Sequence, residues 1–97
     1  MNDININSLL SLLEKQPINI IDIRSNIAYQ QGRIPTAKNI NNILLSQTPE
    51  KYLKKTETYY IYCQGGQVSS KLVKLLQTKG YNTVNIIGGY NNYLLRK

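Results

Sequence analysis

Histidine is absent from this chain of 97 residues, as are phenylalanine and tryptophan, and cysteine occurs once, as Cys63. Without imidazole there can be no Ser-His-Asp or Cys-His catalysis, no histidine metal site and no histidine proton shuttle. One cysteine permits no internal disulfide, no CxxC redox pair and no cysteine-based zinc cluster. Acidic residues are scarce, 5 against 12 Lys+Arg, which gives a formal net charge of +7. No apolar run approaches the roughly 20 residues that span a bilayer. The N-terminal MNDININ has neither a basic stretch nor a cleavable apolar core, so no membrane association and a cytoplasmic location are expected. What remains is 41% hydrophobic and 18% charged, a globular composition in which Ile, Leu, Val and Tyr must build the core. The length suits one domain over residues 1–97.

Apolar and turn signals alternate without repeats. Leu9, Leu10, Leu12 and Leu13 lie on one helical face, with Ser8 or Asn7 as the expected N-cap and Pro17 beyond the end. Residues 18–23 (INIIDI) are β-branched and too short for a helix, which predicts a buried strand. Ser25 is placed to cap a short helix that stops at Gly32, followed by turns around Pro35 and a brief extended piece near Ile40. Residues 43–55 read as two short helices divided near Thr48–Pro49, and 59–62 (YYIY) as a second buried strand. A helix is expected over 69–79 with Gly80 as its C-cap, then a strand over 84–87, a Gly88–Gly89 turn and a closing helix over 90–95. Strands alternating with helices predict an α/β fold, a parallel sheet of about five strands with helices on both faces.

In such folds ligands collect where a strand's carboxyl end passes into a helix. Here that junction reads Cys63-Gln64-Gly65-Gly66-Gln67-Val68-Ser69. The two glycines allow positive φ, and a curled loop entering a helix N-terminus aims several N–H groups at one point, an anion cradle. The same field stabilises a thiolate, which needs no general base. A lone cysteine ending a core strand is equally well a small buried hydrophobe, and a Gly-Gly pair can be merely a tight connection.

Three blocks, in order, resemble the rhodanese family of sulfurtransferases over nearly the whole chain. IIDIRSNIAYQQGRIPTAKNI (20–40) is similar to the family's Asp-x-Arg stretch, helix, Gly and Ile-Pro-x-Ala-x-Asn-Ile. YCQGGQVSSKLVKLLQTKGY (62–81) resembles its strand, cysteine loop and helix, and VNIIGGYNNYL (84–94) its closing strand, Gly-Gly and helix. The resemblance implies a rhodanese-like fold and ping-pong sulfur transfer without cofactor or metal. Cys63 would take sulfane sulfur from thiosulfate, polysulfide or a protein persulfide and pass it to a thiol or cyanide. The persulfide would be held by backbone N–H groups of Gln64, Gly65, Gly66, Gln67, Val68 and Ser69. Asp22 and Arg24 would lie near the loop, as a structural ion pair or as charge offered to the donor, and Arg33 stands where the family often has histidine. Partners implied are small sulfur anions and thiol acceptors, including thioredoxin-like or sulfur-carrier proteins.

Val68 stands where many members place an arginine, and the loop carries no charge at all. That weakens the case for a dianionic donor by about 1–3 kcal/mol if the lost contact is charge-assisted. A non-catalytic module for sulfur carriage or partner binding therefore stays open. The phosphatase and arsenate-reductase loop, Cys-x5-Arg, is excluded because Ser69, not arginine, follows six residues after Cys63. The lysines are dispersed, without an arginine-rich run or aromatic RNA motif, so nucleic acid is not expected as a partner. Lys71 and Lys74 share a helical face near the loop, placed either to steer anions or simply to be solvated.

Overall fold

The computed structural model describes residues 3–96. Five strands form one parallel sheet: β1 (Asp3–Ile4), β2 (Asn19–Asp22), β3 (Lys38–Asn39), β4 (Thr58–Tyr62) and β5 (Asn82–Ile86), in spatial order β1-β5-β4-β2-β3. Parallel neighbours need crossovers, supplied by α1 (Ile6–Lys15), α2 (Asn26–Gln31), α3 (Asn42–Gln47) with a following 3-10 turn (Pro49–Lys51), and α4 (Gln67–Thr78). A last helix, α5 (Gly89–Leu95), follows β5.

The period-two alternation of the central strands divides the interior in two. Ile21, Ile61 and Cys63 face one side with Leu45 of α3 and Leu72, Val73 and Leu76 of α4. Ile20 and Tyr62 face the other with Ile6 and Leu9 of α1, Ile34 and Ile86, and Tyr29 and Tyr90 pack against them. Because β2 and β4 are covered on both faces, their sequences are apolar runs rather than alternating ones. The register sets Asp22 beside Tyr62, so the carboxyl ends of both central strands finish at one edge, with Cys63 one residue further on.

Local expectations shift at the boundaries. The N-cap of α1 is Asn5, whose side chain accepts from the Ser8 amide, rather than Ser8 or Asn7. Thr48–Pro49 does divide the middle segment, but its second half is only the short 3-10 turn. The extended piece near Ile40 is Lys38–Asn39, and Ile40 itself donates its N–H to the Asp22 carbonyl at 3.1 Å. The helix α4 begins at Gln67 rather than Ser69, for a reason that lies in the site.

Candidate active site

Only one of the two loop glycines takes a positive φ: Gly66, at 99°, while Gly65 does not. Gly66 is the N-cap of α4 and offers no side chain to the first-turn amides. A helix start leaves such amides without intrahelical acceptors. Here the cysteine sulfur takes the capping role: Cys63 Sγ accepts from the N–H of Gly66 at 3.1 Å and of Ser69 at 3.3 Å. With the Ser69 amide satisfied in this way, the helix can open two residues earlier than apolar periodicity suggests. Gln67 and Val68 present first-turn N–H groups of the same kind.

The loop's amides face inward because its carbonyls are held elsewhere. Cys63 O and Gln64 O each accept at 3.0 Å, from the N–H of Tyr90 and Asn91 in the first turn of α5. Two helix N-termini thus share one loop, α5 taking its carbonyls and α4 aligning its amides. The approach is close enough to require glycine: a Cβ on Gly89 would collide with the Cys63 carbonyl oxygen, and one on Gly66 would lie 3.0 Å from Gly88 N. Gly88 and Gly89 themselves sit at φ 74° and 57°. The sequence offers this pair as a turn; the structure gives it a brace for the cysteine loop. A Gly-Gly after a strand is a signal of close backbone approach, but nothing local says which backbone approaches.

Cys63 is 7% exposed and borders an open pocket of about 490 Å³, lined also by Ile23, Ser25, Ala28, Asn42, Gln67 and Val68. Burial pushes its thiol pKa up. The Ser69 hydroxyl, 3.3 Å away, and the N–H groups of Ser69, Gly66 and Gly65 outweigh that, so the net displacement is below the ordinary value.

Asp22 and Arg24 form a buried ion pair, Nη2 to Oδ2 at 2.8 Å, with side chains 0% and 7% exposed. Tyr62 donates its hydroxyl to Asp22 Oδ2 at 2.7 Å and accepts from the Ile34 N–H at 3.1 Å. The Arg24 guanidinium also donates to the Gly32 carbonyl and, at 3.2 Å, to Gln64 Oε1, and it lies 4.1 Å from the centre of the Tyr90 ring. Gln64 completes the tie by donating to Asn91 Oδ1 at 2.6 Å. The pair has the geometry of a buried ion pair, tied to the loop through Gln64. Arg33 stands apart, exposed, with its guanidinium donating to the Tyr29 carbonyl at 2.8 Å and lying over that ring, and it does not line the cysteine pocket. Lys71 and Lys74 likewise line a separate opening, on the other side of Gly65 and Gly66. Sequence reasoning missed Tyr62, Asn85, Tyr90 and Asn91. Each reaches the site through packing between strands or helices, which no local pattern encodes.

The fold and site together define a parallel α/β domain that holds a single cysteine sulfur in main-chain amides at a strand–helix junction. The family model for the rhodanese-like domain matches residues 5–96, and the chain belongs to that family. Among curated proteins it is similar to YtwF of Bacillus subtilis (strain 168), provisionally named a sulfurtransferase: 35% identical over 72 residues, 72% of this chain and 67% of that one. Among solved structures it resembles a rhodanese-like domain protein from Staphylococcus aureus at 35% identity and TM-score 0.83, covering 96% of this chain and 91% of that one. Protein SSP1007 of Staphylococcus saprophyticus matches at 33% identity and TM-score 0.85, over 96% and 93%. The human single-domain sulfurtransferase TSTD1 shares the fold, at TM-score 0.87 over 100% and 98% with 23% identity.

Proposed function

We propose that this domain transfers sulfane sulfur through a persulfide on Cys63. The observation that carries the reading is the convergence of the Gly66 and Ser69 amides on Sγ beside an open pocket. In the first half-reaction the Cys63 thiolate attacks the outer sulfur of a donor. The donor's sulfur–sulfur bond breaks, and the leaving group departs with the electron pair, as sulfite from thiosulfate or as a shortened polysulfide. In the second, an acceptor thiolate or cyanide attacks the terminal sulfur and Cys63 leaves as thiolate. The amides stabilise negative charge on sulfur at both stages without a proton shuttle, which accords with a chain that has no histidine.

Carriers of lower charge, such as the persulfide of a partner protein, fit this pocket better than a dianion, whether thiosulfate or inorganic polysulfide. The cation bordering it, Arg24, is already paired with Asp22. Thiol acceptors, including thioredoxin-like and sulfur-carrier proteins, belong to the same proposal. No helix among the described residues is long and apolar enough to cross a membrane.

The test is intact mass after incubation with polysulfide or thiosulfate. One added sulfur atom is expected on the wild type and none on Cys63→Ser. Added thiol should then remove that sulfur faster than it removes sulfur from free cysteine persulfide. Retention of the sulfur would instead support a carrier module without turnover, and failure to load from either donor would refute the transfer reading.

A further inference from the structure

Ser69 has one hydroxyl proton and three neighbours that can use it. Its Oγ is 3.3 Å from Cys63 Sγ, 3.3 Å from the Gly66 carbonyl and 2.6 Å from Asn85 Oδ1, the shortest of the three contacts. Ser69 is fully buried and Asn85 is 6% exposed, on β5 behind the loop. The arrangement suits a thiol: Cys63 S–H donates to Ser69 Oγ, and Ser69 O–H donates to Asn85 Oδ1. It serves an anion less well than it could, because a thiolate cannot donate and competes with the amide oxygen for the one proton.

We propose that Asn85 is a positioning residue that acts through Ser69: its carboxamide turns over when Cys63 becomes negative, so that Nδ2 donates to Ser69 Oγ and Ser69 O–H is released to the sulfur. An amide exchanges its oxygen and nitrogen by a half-turn with almost no displacement of heavy atoms. The thiol proton leaves to solvent through the open pocket, and no other proton changes owner. The chain of donors then runs from Asn85 through Ser69 to sulfur, and each hydrogen bond in it polarises the next. Other charges near the loop are the Asp22–Arg24 pair at the pocket and Asp3, Lys71 and Lys74 at the opening behind Gly66. None of them is altered by exchanging one neutral side chain for another at position 85.

The inference rests on Cys63 working as an anion, but its test does not require sulfur transfer. With a single cysteine, the pH dependence of iodoacetamide alkylation reports Cys63 alone. Asn85→Leu should raise the alkylation midpoint by roughly one unit, about tenfold less thiolate at a given pH below it. Ser69→Ala should raise it too, and adding Asn85→Leu to Ser69→Ala should change nothing further. A midpoint that stays put or falls in Asn85→Leu would overturn the proposal, since a fixed Oδ1 acceptor holds the proton away from sulfur and its removal would favour the thiolate. Should Asn85→Leu fail to fold, the side-chain amide resonances of Asn85 in 15N-labelled wild-type protein decide. They should titrate with the Cys63 midpoint and lose that response in Ser69→Ala, and resonances that ignore Cys63 would refute the idea. A protein that passes these tests yet never loads sulfur would keep this inference and lose the one before it.

Discussion

The guanidinium of Arg24 borders the cysteine pocket, yet its donors go to Asp22, Gln64 and the Gly32 carbonyl, and its face lies against Tyr90. A cation so paired contributes little field to an incoming dianion. Val68, at the second position of α4, is 51% exposed on the rim of the same pocket. Val68→Arg should therefore raise kcat/KM for thiosulfate by about tenfold, the low end for a charge-assisted contact because the site is open to water. Use of a singly charged alkyl persulfide should change much less. Thiocyanate formation from cyanide with each donor measures both, and an unchanged ratio would mean that charge does not limit thiosulfate use. The absence of loop charge is legible from the sequence alone. That Arg24 cannot compensate is not, because its partners come from β2, the end of α2, the cysteine loop and α5.

At the scale of elements, the cysteine loop is held between two helix starts. Apolar periodicity marks the body of α4, but it cannot show that sulfur caps its first turn, so the expected start fell two residues late. Nor can it show that α5, which reads as a closing helix, takes the loop's carbonyls. Gly89→Ala tests that brace. The new Cβ would collide with the Cys63 carbonyl and adopt a φ of 57°, a region that costs an L-residue roughly 1–2 kcal/mol. Sulfur loading should drop at least tenfold while the circular dichroism stays native. Gly80→Ala is the control, since it also forces an L-residue to a positive φ, 93°, beyond the end of α4 and away from the loop. Equal activity in the two variants would deny α5 its bracing role.

Across the whole molecule, the buried cluster of Asp22, Arg24, Tyr62 and the Ile34 N–H ties β2, β4 and the segment after α2 into one unit. Burial, helped by the hydrogen bond to Asp22, holds the Tyr62 phenol well above its ordinary value. The folded protein thus binds that proton more tightly than the unfolded chain does. The corresponding stability is complete below the unfolded tyrosine value of about 10 and is lost as pH rises beyond it. Denaturant titrations of wild type and Tyr62→Phe should show this directly. At pH 7 the variant should be weaker by about 1–3 kcal/mol, because the Ile34 N–H and Asp22 Oδ2 lose a buried partner. Above pH 10 the gap between the two proteins should narrow. A gap that stays constant there would show that Tyr62 does not carry the alkaline loss.

Most element types, the parallel sheet and the cysteine loop are legible in the order of amino acids, because β-branched runs, helical periodicity and glycine positions are local consequences of backbone sterics and burial. The absence of histidine also means that the sulfur anion of the proposed transfer has to be steadied by other groups. Which dipoles do so depends on how the chain folds. The inward amides depend on carbonyls turned out toward α5, Arg24 is neutralised by a carboxylate that Tyr62 also grips, and Asn85 meets Ser69 across the space between β5 and α4. Apart from the Asp22–Arg24 pair itself, whose members are two residues apart, these are contacts between residues far apart in the chain, fixed by strand register and helix packing, and such contacts leave no periodic trace in the order of amino acids.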